Sequence, residues 1–278
     1  MKYYAVLLLW FYSTLFGYGQ DGFTEEPPRL AYWQVGQNKE TVIVLHGGPG
    51  APHQYLRPEF DALSKTARVI YYDQRGCGKS DTSSSYIWQG HVNDLNRLVH
   101  TLAKDQKVFL AGSSWGSVLA ILYTYTHPED IKGLILSGTV PWYGDEGVYE
   151  RNYAPPTKIQ KLTIIEKRLI TQPITGGRTK TDTVKITKEF EAYLGLPQYE
   201  AMMSRITAPK AERLTQIQVP ILLFNGTYDR RLDWVDEYVK LFPNVKVYTL
   251  SEAGHDAWLS NPDLFFSISN EFIKNNSK

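Results

Sequence analysis

Short apolar runs alternate with helical segments along most of this chain, and that alternation limits the folds open to it. The apolar runs lie at 41–45, 68–72, 108–111, 134–136, 221–224 and 245–250. Helical segments are predicted at 60–65, 88–104, 117–125, 235–241 and 264–273. Runs that are apolar throughout are typical of strands buried on both faces, and strands alternating with helices indicate βαβ units. The pattern predicts an α/β domain with a mostly parallel, doubly wound sheet.

One stretch interrupts the alternation. Residues 141–210 are richer in polar residues, Pro, Thr and Lys, and contain one amphipathic helical pattern near 159–170. We interpret this stretch as a small helical cap inserted into a core formed by 20–140 and 211–278. Ligands of open α/β sheets bind outside the carboxyl ends of the strands, so the cap is expected to cover that edge.

The N-terminus has the pattern of a secretory signal. Lys2 precedes an apolar run at 5–16 that is too short to span a bilayer comfortably, and small residues follow at 17 and 19. Residues 1–19 are therefore predicted to be a signal peptide, with no stable membrane anchor after its removal. A single cysteine, Cys77, allows no intrachain disulfide, so the bacterial periplasm or exterior is the expected location.

Composition excludes several classes of partner. The 278 residues carry 30 Lys and Arg against 29 Asp and Glu, without a charged block, so no nucleic-acid partner is expected. One cysteine cannot form a thiolate zinc site. The Gly-Lys-Ser at 78–80 is similar to part of a phosphate-binding loop, but Asp73 stands where that motif needs its first glycine. No cofactor or metal is expected, the expected partner is a small molecule or a short peptide, and the sequence leaves the oligomeric state open.

The sequence Gly-Ser-Ser-Trp-Gly at 112–116 matches the G-x-S-x-G motif of a catalytic serine. A predicted strand ends just before it and a predicted helix begins just after it, which is the context the motif requires. Ser114 is therefore the candidate nucleophile.

A serine needs a base to take its proton, and the base needs an acid to fix its tautomer. His255 follows the last predicted strand and is the candidate base. Asp229 follows the strand at 221–224 and is the candidate acid, with Asp233 as its competitor. The order Ser, Asp, His is that of the α/β-hydrolases.

The sequence His-Gly-Gly-Pro-Gly at 46–50 follows directly after a predicted strand. Glycine-rich turns let backbone N–H groups face a developing oxyanion. The candidate donors are the N–H groups of Gly48 and Trp115.

Together these motifs resemble the proline iminopeptidases, which are α/β-hydrolase serine peptidases that release an N-terminal proline. The resemblance is carried by HGGPG (46–50), YYDQRGCGKS (71–80), GSSWGS (112–117) and the late Gly-His at 254–255. It implies the α/β-hydrolase fold, no cofactor, Ser114, Asp229 and His255 as the triad, and Gly48 and Trp115 as the oxyanion hole.

The cap departs from that family, because residues 141–210 are short for a domain that grips the ammonium of the substrate. Its carboxylate candidates are Glu146, Glu150, Glu166, Glu189, Glu191 and Glu200. Two alternatives therefore stay open beside the aminopeptidase. One is a carboxylesterase or lactonase that uses the same triad, and the other is a non-catalytic binding module on the hydrolase fold.

Overall fold

The computed structural model describes residues 20–104, 106–140, 142, 200–201, 204–227, 229 and 233–277. The predicted signal peptide at 1–19 lies outside these residues, as does most of the predicted cap, including the helix near 159–170. Export and the boundaries of the cap therefore stay predictions.

Eight strands form one sheet in the order β1-β2-β4-β3-β5-β6-β7-β8. They are β1 (Gly22–Phe23), β2 (Ala31–Val35), β3 (Glu40–Leu45), β4 (Ala67–Tyr72), β5 (Val108–Ser113), β6 (Ile131–Ser137), β7 (Ile221–Gly226) and β8 (Val245–Leu250). Pairing is antiparallel between β1, β2 and β4 and parallel from β4 onward. The mostly parallel, doubly wound sheet predicted from the sequence is confirmed.

Among the described residues, four longer helices cover the two faces of the sheet. They are α1 (Trp88–Ala103), α2 (Trp115–Thr126), α3 (Asp233–Leu241) and α4 (Pro262–Asn275). The apolar faces of α1, α2 and α3 pack with one set of strand side chains in one core cluster, whereas α4 packs with the alternate set in a second cluster. Alternation of side chains along each strand explains why the buried strands are apolar at nearly every position. Among the described residues, no helix combines the length and apolar character needed to cross a bilayer.

The long connection between β6 and β7 returns to the core at defined contacts. The Trp142 indole N–H donates to the Pro209 carbonyl at 2.9 Å, and Arg205 Nη2 donates to the Trp142 carbonyl at 2.7 Å. The Ser204 hydroxyl accepts the backbone N–H of Trp88 at 2.9 Å. Since the first N–H groups of a helix have no partner within it, Ser204 caps α1 from a distant part of the chain. The two ends of the connection are therefore joined beside the N-terminus of α1.

Candidate active site

Ser114 occupies the sharp turn between β5 and α2. Its backbone has φ 55° and ψ −117°, a conformation rarely adopted by residues other than glycine. The Ser114 N–H donates to the Ser137 carbonyl at 2.9 Å, and the Ser114 carbonyl accepts the N–H of Ser117 at 3.0 Å. These bonds hold the strained turn in place, so the hydroxyl is presented at the carboxyl edge of the sheet.

Gly116, two residues after Ser114, is required at this turn for steric reasons. A Cβ at Gly116 would collide with the carbonyl oxygen of Leu45, the last residue of β3. The turn can therefore approach β3 closely only if position 116 lacks a side chain. This contact explains the second glycine of the motif in physical terms.

His255 and Asp229 meet at the same edge of the sheet. Nδ1 of His255 lies 2.9 Å from Oδ2 of Asp229, and both side chains are nearly buried. The loops that carry them are joined, because Glu252 N–H donates to the Thr227 hydroxyl at 2.9 Å. A carboxylate at Nδ1 fixes the ring proton there, so Nε2 is the nitrogen that can accept a proton.

The turn after β6 contacts both the imidazole of His255 and the backbone of Ser114. Gly138, with φ 57°, lies against the ring, since a Cβ there would be 3.0 Å from Cε1 of His255. The preceding residue, Ser137, accepts the Ser114 N–H. Ser114 and His255 therefore both contact this turn, a contact that no motif in the sequence indicates.

The Gly-rich loop after β3 lies against the same turn. A Cβ at Gly47 would be 3.1 Å from the Cβ of Ser114, so the loop and the nucleophile are in near contact. Trp115 is the first residue of α2, and the first N–H groups of a helix have no partner within it. The structure thus places Gly48 and Trp115 on two elements that converge on Ser114.

Two neighbouring residues were not identified from the sequence. Gln74, directly after β4, bonds to both His46 and Trp115. Tyr55 accepts the Gly47 N–H through its hydroxyl at 2.6 Å. The contacts of Gln74 follow from β4 lying beside β3, a pairing that a single sequence does not reveal.

A family model described as "alpha/beta hydrolase fold" matches residues 40–262, which is most of the chain. The chain belongs to the α/β-hydrolase family. The predicted fold is thereby confirmed, and the fold and the relatives support an enzyme of the serine hydrolase class.

Similar proteins include several proline iminopeptidases, which confirms the resemblance inferred from the motifs. The Thermoplasma volcanium protein is 35% identical over 124 residues, which are 43% of this chain and 42% of that one. The Lactobacillus helveticus protein is 27% identical over 279 residues, covering 87% of this chain and 93% of that one. Among solved structures, a thermophilic esterase from Thermogutta terrifontis has a TM-score of 0.72 at 20% identity, covering 92% and 97% of the two chains. That likeness concerns the fold alone.

Two buried histidines make the stability of this α/β hydrolase depend on pH. Burial lowers the pKa of His46 from 6.5 to about 4, although the nearby Asp73 partly offsets it. Burial lowers the pKa of His91 to about 3, and the charge of Arg75 adds to this effect. Below pH 6.5 the unfolded chain takes up protons that the folded protein does not, so stability falls as the pH decreases. Between pH 7 and 5 we expect each histidine to cost about 2 kcal/mol.

Urea unfolding at several pH values between 7 and 5 measures this loss. His91→Leu is the matched control, because it removes one of the two histidines and should reduce the loss of unfolding free energy between pH 7 and 5 by about 2 kcal/mol. A loss that stays unchanged in this variant would show that His91 does not contribute.

Proposed function

We propose that this protein is a serine aminopeptidase that releases an N-terminal proline from short peptides. The observation that carries the chemistry is the Asp229–His255 bond beside the strained turn of Ser114. Substrate choice is supported by the proline iminopeptidase relatives, one of which aligns over 93% of its own length. Several relatives are named proline iminopeptidase, whereas the esterase is supported by a likeness of fold alone. The peptidase is therefore the better supported function.

The residues have separate roles in the proposed reaction. His255 Nε2 takes the proton of the Ser114 hydroxyl as the oxygen attacks the scissile carbonyl carbon. The N–H groups of Gly48 and Trp115 donate to the oxyanion. Protonated His255 then gives its proton to the leaving amine as the C–N bond breaks. A water deprotonated by His255 hydrolyses the acyl-enzyme and regenerates Ser114.

An aminopeptidase must also pair the cationic N-terminus of its substrate, because a buried unpaired charge is costly. Of the glutamates singled out from the sequence, Glu200 lies among the described residues, and its Oε2 accepts the Tyr86 N–H at 2.7 Å. The other five lie outside them. Under this proposal, a carboxylate of the cap receives the ammonium.

Three arylamides and one ester test the proposal. We expect prolyl p-nitroanilide to be hydrolysed with a higher kcat/KM than alanyl p-nitroanilide. The kcat/KM for N-acetylprolyl p-nitroanilide should be about 10- to 100-fold lower than that for prolyl p-nitroanilide. Acetylation removes the positive charge, and a charge-assisted hydrogen bond contributes about 1.5–3 kcal/mol.

Ser114→Ala is the control for enzyme-specific turnover. If p-nitrophenyl acetate is hydrolysed in a Ser114-dependent way and no arylamide is, the aminopeptidase is contradicted and the protein is an esterase. Equal rates for the free and N-acetylated prolyl substrates would contradict an ammonium site.

A further inference from the structure

The imidazole of His46, directly after β3, is held in one tautomer by its neighbours. Nε2 of His46 accepts the backbone N–H of Gln74 at 2.9 Å. A backbone N–H can only donate, so Nε2 carries no proton and the ring proton is on Nδ1. Nδ1 lies 2.9 Å from the Gly47 carbonyl oxygen, to which it therefore donates. The ring is fully buried, which keeps it neutral at physiological pH.

This bond orients the peptide unit that carries a proposed oxyanion donor. The peptide between Gly47 and Gly48 is trans and planar, so its C=O and its N–H point in opposite directions. Since His46 binds the Gly47 carbonyl from the interior, the Gly48 N–H is directed away from His46. Tyr55 holds the other side of Gly47 through the Gly47 N–H, at 2.6 Å. If this peptide unit rotated and turned the Gly48 N–H in another direction, the hydrogen bond from His46 Nδ1 to the Gly47 carbonyl would break.

Gln74 joins this loop to the second proposed donor. Its side-chain Nε2 donates to the His46 carbonyl at 2.8 Å, and its Oε1 accepts the indole N–H of Trp115 at 2.9 Å. Gln74 and Trp115 are each about 1% exposed, so solvent does not compete for these bonds. One side chain therefore connects the loop that carries Gly48 with the residue at the start of α2.

We propose that His46 and Gln74 are positioning residues that fix the two oxyanion donors, Gly48 N–H and Trp115 N–H, relative to Ser114. The proposal rests on the proposed acyl-transfer function, because it assigns a role within that site. It holds for an amide or an ester substrate, since both pass through a tetrahedral oxyanion. Removal of a whole oxyanion donor lowers kcat roughly 10²–10³-fold, so misplacing one should cost somewhat less.

Two substitutions of His46 separate positioning from packing. In His46→Asn, the amide nitrogen stands where Nδ1 was and can still donate to the Gly47 carbonyl. In His46→Gln, the longer amide can accept the Gln74 N–H but leaves that carbonyl without its donor. Each variant loses one hydrogen bond, so both should have similar melting temperatures. With p-nitrophenyl acetate we expect kcat to fall less than about 10-fold in the first and roughly 100-fold in the second, at unchanged KM.

Gln74→Met provides a second test if the His46 variants do not fold. It removes the side-chain hydrogen bonds to the His46 carbonyl and from the Trp115 indole. The hydrogen bond from the backbone N–H of residue 74 to His46 Nε2 is kept. We expect kcat to fall about 10-fold without a change in KM. Wild-type kcat in Gln74→Met, or equal kcat in the two His46 variants, would overturn the proposal. Absence of Ser114-dependent turnover in the wild-type protein would instead contradict the acyl-transfer function, and the inference with it.

Discussion

Replacing Asp229 with asparagine should lower kcat about 10⁴-fold while the protein stays folded. Asp229 Oδ2 lies 2.9 Å from His255 Nδ1, and its carboxylate holds the ring proton on that nitrogen. An asparagine has nearly the same shape, but its NH₂ group can donate to Nδ1. The ring proton then moves to Nε2, which can no longer accept the proton of Ser114. Steady-state kinetics with p-nitrophenyl acetate, with circular dichroism as a check on folding, measure this effect.

Asp233→Asn is the matched control. Asp233 is the alternative acid suggested by the sequence, and it is the first residue of α3. We expect its kcat to stay within a few-fold of the wild type. If the kcat of Asp233→Asn fell strongly while Asp229→Asn stayed active, Asp233 and not Asp229 would be the acid of the triad.

Replacing Asp94 with alanine should lower the free energy of unfolding by about 3–5 kcal/mol. The carboxylate of Asp94 binds Arg75 with both oxygens, at 2.7 and 2.9 Å, and Arg97 at 2.6 Å. The side chains of Arg75 and Asp94 are 9% and 2% exposed. Without Asp94, the guanidinium of Arg75 stays buried without its counter-charge, and an uncompensated buried charge is strongly destabilising. Urea denaturation measures the change.

An exposed ion pair serves as the comparison. The Arg29 guanidinium binds Asp81 at 3.0 Å, but the side chains are 54% and 35% exposed. Solvent screens such a pair, so Asp81→Asn should hardly change the urea midpoint. Similar midpoints for Asp94→Ala and Asp81→Asn would contradict the assigned importance of the buried pair.

The sequence predicted the strands and helices that carry the site well, because their signals are local. The strands around 41–45, 68–72, 108–111 and 221–224 are found as β3, β4, β5 and β7, each one or two residues longer. The two strands of the antiparallel end of the sheet, β1 and β2, were missed, whereas the opposite edge strand, β8, was predicted. β1 has only two residues, and β2 is a five-residue strand whose pairing with β4 is antiparallel. Two residues give no pattern, and β2 is buried at alternate positions near its start and includes Gln34, so it lacks the wholly apolar run that marks the parallel strands.

The contacts around the site were less predictable, because they depend on which strands are neighbours. Motif spacing indicated Ser114, His255 and Asp229, and the structure places the last two in contact. Nothing in the sequence indicates that Gln74 reaches Trp115, or that Gly138 lies against the ring of His255. The first contact depends on β4, β3 and β5 being consecutive in the sheet, an order different from that of the chain, and the second joins loops that follow β6 and β8.

Labelling with a fluorophosphonate probe tests the central claim, that Ser114 is an activated nucleophile. Mass spectrometry of the digested wild-type protein should find the adduct on the peptide that contains Ser114. Ser114→Ala should give no adduct, and Asp229→Asn should react far more slowly. A folded wild-type protein that stays unlabelled, or an adduct on another residue, would contradict the account and favour a binding protein on the hydrolase fold.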